Sequence, residues 1–135
     1  MDKVKILIGD HNLMIREGLS ALLRQEDGFE VVGEAGDSDE VLEKVKKLHP
    51  DIVLLEAALP RFTDFDTIRL IHASAAKTRV IVMASSINQQ DVRQALQGGG
   101  VGYILKTAAF SELVDAIKST CKGGYYLSSE IKTDF

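Results

Sequence analysis

Residues 51–60 read DIVLLEAALP. Ile52, Val53, Leu54 and Leu55 run unbroken into an acid, Glu56, and small or apolar residues then lead to Pro60. An apolar run of strand length with no polar alternation implies burial on both faces, as in a parallel sheet. A carboxylate at the end of such a strand has no packing purpose, so Glu56 is the first candidate site residue.

On either side of this stretch the periodicity alternates. Val4–Ile8 reads as a strand, and Leu13, Leu19, Leu22 and Leu23 fall at helical spacing. Phe29–Ala35 is a second strand. Asp37 and Glu40 form a capping-box pattern opening a helix with Val41, Leu42, Val45 and Leu48 on one face, which His49-Pro50 stops. Beyond Pro60, Phe65, Ile68, Ile71 and Ala75 mark a helix and Val80–Met83 a fourth strand. Asn88 caps a helix to about Leu96, ended by Gly98-Gly99-Gly100. Val101–Leu105 is the fifth strand; Leu113, Val114 and Ile117 give a last helix before Gly123-Gly124. Five strand–helix alternations predict an α/β fold, a parallel sheet with helices on both faces.

The bulk properties agree. The chain has 135 residues, 45% hydrophobic and 27% charged, which suits one domain with one core. Its net charge of −4 argues against nucleic-acid binding by this domain itself, which needs a basic face. No apolar run approaches the roughly 20 residues of a membrane span, and the N-terminus does not read as a signal peptide. One cysteine provides no disulfide framework, and a cytoplasmic location is expected. His11, His49 and His72 show no metal-ligand spacing. Cys121 reads as a small apolar helix residue. The GGGVG stretch precedes a strand, unlike a phosphate-binding loop.

In a doubly wound sheet, chemistry collects at the carboxyl ends of the strands. Those ends carry Gly9-Asp10-His11 on the first strand, Glu56 on the third, Ala84-Ser85-Ser86 on the fourth and Lys106 on the fifth. Asp10, Glu56 and Lys106 are therefore expected to share one pocket.

The stretches VKILIGDHNLMIREGLSALL, VVGEAGDSDEVLEKVKKLHPDIVLLEAALP, RVIVMASS and GGGVGYILK resemble the receiver domain of bacterial response regulators. Within that family they resemble the LuxR-type (NarL/FixJ-like) branch. The resemblance implies a flavodoxin-like (βα)5 fold with a five-stranded sheet in the order 2-1-3-4-5. It also implies a receiver-like domain over 1–131, with 132–135 a tail or the start of a linker to an output domain. In such a family a histidine kinase phosphorylates an aspartate ending the third strand. Two acids after the first strand help hold Mg2+, a hydroxyl ends the fourth strand, and a lysine ends the fifth. An aromatic residue three positions before the lysine changes rotamer.

Carried over by position, much of that set is changed. The first acid is Gly9, leaving Asp10; the phosphoacceptor position holds Glu56; the hydroxyl position holds Ala84, with Ser85 next. Lys106 is kept, Tyr103 stands at the aromatic position, and Asp64 replaces a usual glycine after the proline. The family pocket counts three acids against one lysine. Here Asp10 and Glu56 face Lys106, so the pocket is one negative charge short of balancing a divalent cation. Asp10 and Glu56 are the only candidate metal ligands, Mg2+ is not expected, and a direct Glu56–Lys106 ion pair is.

The expected function is thus a phosphorylation-independent receiver, not an enzyme, controlling a transcriptional output domain as a homodimer. The family's usual contacts are the fourth helix with the fifth strand and helix, or the first and fifth helices. DNA would be met only through a helix-turn-helix outside this chain, taken here as a fragment of a longer regulator. The alternatives are a working receiver in which Glu56 or Ser85 accepts phosphate from a histidine kinase, and a ligand sensor using the space left by Gly9 and Ala84.

Overall fold

A computed structural model describes residues 2–131. The element order is β1 (Val4–Gly9), α1 (Leu13–Arg24), β2 (Phe29–Ala35), α2 (Ser38–Leu48), β3 (Ile52–Glu56) and α3 (Asp64–Ser74), then β4 (Arg79–Ala84), α4 (Gln89–Gln97), β5 (Gly102–Leu105), α5 (Phe110–Cys121) and β6 (Tyr126–Leu127). The sheet order is β2-β1-β3-β4-β5-β6, and every pair is parallel. The tail at 132–135 lies outside the described residues.

The double winding follows from which residues are apolar. Val53 and Leu55 of β3 face one layer with Val41 and Val45 of α2, Ile68 and Ile71 of α3, and Val92 and Ala95 of α4. Ile52 and Leu54 face the other, with Leu23 of α1 and Leu113, Val114 and Ile117 of α5. All four apolar residues of β3 are fully buried, as a central strand requires.

The helix ends follow local chemistry. The Asp37 side chain accepts the Glu40 amide, while the Glu40 carboxylate takes the Gly36 amide at 2.6 Å, one residue earlier than a standard capping box. His49 closes α2 in the left-handed region with φ 50°, ahead of Pro50. Asn88 caps α4 by accepting the Gln90 and Asp91 amides.

One expectation is corrected. The sheet has six strands, not five. After α5 the chain returns over Gly123-Gly124 and lays Tyr126 and Leu127 beside Gly102 and Tyr103. Ser128 fastens this addition: its amide donates to the Tyr103 carbonyl, and its Oγ accepts the Leu105 amide. The edge groups of β5 would otherwise lack partners. The apolar set on α1 is only partly buried: Leu23 is enclosed, but Leu13 is 55% and Leu22 45% exposed, beside Met14 at 82%.

Gly9 matters to the core as well as to the pocket. A Cβ there would stand 2.9 Å from Val41 Cγ2, on a stiff β-branched side chain. Gly9→Ala is expected to lower stability by about 1–3 kcal/mol through overpacking. Combined with Val41→Ala, the loss should be smaller than the sum of the two single losses, as urea denaturation of the four proteins would show.

Candidate functional site

The register of three strands builds the site. Gly9 pairs with Leu55, so Asp10 follows onto the ground beside Glu56. Ala84 pairs with Leu105, and the Lys106 amide donates to the Ala84 carbonyl, which brings the lysine over the same edge. Asp10 is wholly buried and Glu56 is 3% exposed.

Lys106 Nζ donates to Glu56 Oε1 at 2.8 Å, the ion pair expected from the sequence. The same nitrogen lies 2.8 Å from Asp10 Oδ2, a close ionic contact without the angles of a directed hydrogen bond. One ammonium thus bridges two buried carboxylates. The remaining oxygens are held by backbone: Asp10 Oδ1 accepts the Asn12 amide and Glu56 Oε2 the His11 amide, both at 2.8 Å.

His11, placed at the end of the first strand by the sequence but given no role there, joins the pocket. Its Nδ1 lies 2.7 Å from Glu56 Oε2 and 4.0 Å from Asp10 Oδ1, while half of the ring remains exposed. The extra methylene of Glu56 carries its carboxylate to both Lys106 and His11.

These contacts set the charge states. Burial pushes the Glu56 carboxyl up, but the Lys106 hydrogen bond, the His11 amide and ring, and the Lys106 charge outweigh it and hold it below its ordinary value. For Lys106 burial favours the neutral amine, and the bonds and charges of Asp10 and Glu56 overcome it and raise the ammonium's pKa.

The other candidate residues surround the pocket. Ala84 is buried at the end of β4 and offers no hydroxyl, while Ser85 is exposed just beyond it. Tyr103 is 1% exposed, inside the sheet edge. Its hydroxyl is pushed up to about 12, chiefly by burial and then by the charges of Asp64 and Asp91. Asp64, in the first turn of α3, has one buried oxygen without a hydrogen-bond partner, and burial raises its carboxyl. A cleft of about 260 Å³ joins Glu56, Ala84, Ser85, Asp91, Tyr103 and Lys106.

The chain matches the family model for the response regulator receiver domain across residues 6–118. It is 30% identical over 128 residues to the transcriptional regulatory protein LiaR of Bacillus subtilis, covering 95% of this chain and 61% of that protein. It is likewise 30% identical over 129 residues to the transcriptional regulatory protein MctR of Rhizobium johnstonii, covering 96% of this chain and 60% of that one. The chain therefore spans about three fifths of the length of these curated relatives. Among solved structures, the receiver domain of the putative response regulator NarL from Mycobacterium tuberculosis superposes with a TM-score of 0.87 at 32% identity, covering 91% of this chain and 99% of that one. A LuxR-family response regulator from Aurantimonas gives 0.91 at 27% identity, covering 96% and 93%.

The bridging lysine makes a pH signature. Glu56 has its folded value below the ordinary 4.5, so its contribution to stability is complete above about pH 4.5 and is lost as pH falls through the folded value. Lys106, raised above 10.5, contributes fully below that pH and loses its contribution as pH rises through its folded value. Lys106→Met leaves two buried carboxylates facing each other. It should cost about 3–5 kcal/mol at neutral pH. Urea midpoints of this variant should recover on mild acidification, where those of the parent protein do not.

Proposed function

This chain belongs to the response regulator receiver family, and within it we propose that it works without phosphorylation, as a non-enzymatic module governing a transcriptional output domain through dimerisation. The observation that carries this reading is the single Lys106 ammonium, 2.8 Å from both Asp10 and Glu56. Where a working receiver balances three acids with a divalent ion, this pocket balances two acids with its own lysine.

Mg2+ does not suit such a donor set. It requires near-octahedral oxygen ligation and gives up its waters reluctantly. Position 9 supplies no carboxylate, and Val41 occupies the space where one would start. Lys106 already holds Asp10 Oδ2 and Glu56 Oε1. Glu56 is also committed to His11, so its carboxylate is a poor in-line nucleophile for phosphoryl transfer, in which a misplacement of about 1 Å can cost roughly a hundredfold. With Ala84 at the hydroxyl position, Glu56 acts as a fixed counter-ion rather than as a signal that is read. Ser85 is left as the alternative acceptor, and a histidine kinase is not required as a partner.

The dimer reading rests on α1. Of six large apolar residues that are exposed among those described, Leu13, Met14, Ile15 and Leu22 lie on this helix. Leu19 and Leu22 also border a groove of about 230 Å³ against Phe110 and Leu113 of α5. Such a continuous apolar surface suits burial against a second copy. The transcriptional regulators it matches suggest DNA contact through a helix-turn-helix elsewhere and a cytoplasmic setting for this chain. No helix among the described residues is long and apolar enough to cross a membrane. The cleft beside Glu56 and Tyr103 supports the second reading, a small-ligand sensor.

Incubation with acetyl phosphate and Mg2+ should leave the intact mass unchanged. Gain of one phosphoryl group, at Glu56 or Ser85, would overturn the reading. In light scattering the parent chain should dimerise, and Leu22→Glu should shift it to a monomer with its urea midpoint nearly unchanged; a parent mass that stays monomeric at all concentrations would refute the dimer.

A further inference from the structure

The peptide unit between Asp10 and His11 is held at both ends. Its amide, on His11, donates to Glu56 Oε2 at 2.8 Å. Its carbonyl, on Asp10, accepts a hydrogen bond from Arg16 Nη1, also at 2.8 Å. Arg16 stands near the start of α1, and its Nε donates to Glu34 Oε1 on β2 at 3.3 Å. We propose that Arg16 is the positioning residue of the charged pocket: acting through this one peptide, its guanidinium aims the His11 amide at Glu56 and sets Asp10 opposite Lys106. The proposal rests on the reading of Glu56 as a fixed counter-ion.

A peptide unit is planar and trans, so its carbonyl and its amide point in opposite directions. With the Asp10 oxygen drawn to Arg16, the His11 hydrogen is turned to Glu56; rotating the plane would break both bonds. The other polar groups of Asp10 are fixed from elsewhere. Its amide donates to the Ala35 carbonyl at 3.0 Å, Oδ1 accepts the Asn12 amide, and Oδ2 meets Lys106. The carbonyl is left to Arg16. A cation on that oxygen also polarises the peptide and strengthens the amide as a donor to a carboxylate. Arg16 thus acts on Glu56 without touching it. The planar fork of arginine suits two acceptors that lie on different strands, as a lysine ammonium does not. The surroundings keep the fork in place. The side chain of Arg16 is 18% exposed, so water competes little for it. The Glu34 carbonyl accepts from Lys44 Nζ. A Cβ at Gly36 would stand 3.2 Å from Arg16 Nη1, so glycine leaves the guanidinium its path.

Hydrogen exchange followed by NMR on the full chain tests this at two neighbouring amides, of which only one is aimed by Arg16. Arg16→Ala should quicken exchange of the His11 amide at least about tenfold and move its proton resonance upfield. The Asp10 amide, held by Ala35 on β2, should change by less than about threefold. General loosening of the fold would quicken both alike. Arg16→Lys, which keeps the charge and loses the fork, should give the same pattern at smaller size, and it decides the matter if the alanine variant does not fold. Unchanged exchange at His11 in the folded variant, or equal acceleration at Asp10 and His11, overturns the assignment. Phosphoryl labelling of Glu56 would instead remove the counter-ion reading, and leaves the two amides to decide the role of Arg16 on their own.

Discussion

One ammonium between two buried carboxylates governs the carboxyl-terminal edge of this sheet. Asp10 is fully buried and Glu56 nearly so, and two such charges side by side are tolerated only with a cation in contact. Lys106 supplies it from the end of β5, so the ends of three strands meet in one electrostatic knot. The backbone amides of His11 and Asn12 complete the carboxylates' coordination. The pocket is thereby satisfied largely from within.

The composition of the knot explains the roles of its neighbours. Glycine at position 9 carries no side chain and leaves room for Val41. Glutamate at 56 extends its carboxylate into contact with both Lys106 and His11. Alanine at 84 removes the hydroxyl from the end of β4. Together these residues make the strand edge an internal salt link.

Much of this was legible in the sequence because strand ends in a parallel sheet converge by topology. Asp10, Glu56 and Lys106 could be assigned to one edge from their positions alone, and the length of glutamate gave its partner. The role of His11 escaped because ring orientation is decided by a side chain 45 residues away, not by spacing along the chain. Asp64 was noted only as a departure from glycine; its charge acts on Tyr103 through space, which spacing along the chain does not reveal. The two-residue β6 was lost among glycines and serines, since so short a strand has no period to detect. On α1 the helical spacing was right, but spacing cannot tell a face turned to the core from one turned outward.

That late strand has a mechanical meaning. Ser128 grips β5 at Tyr103 and Leu105, the residues on either side of Ile104 and just before Lys106. Tension applied to the backbone beyond Ser128 is therefore carried first by the strand that leads to the bridging lysine, not by the turn at Gly123-Gly124. The end of the sheet and its charge knot are mechanically joined through β5.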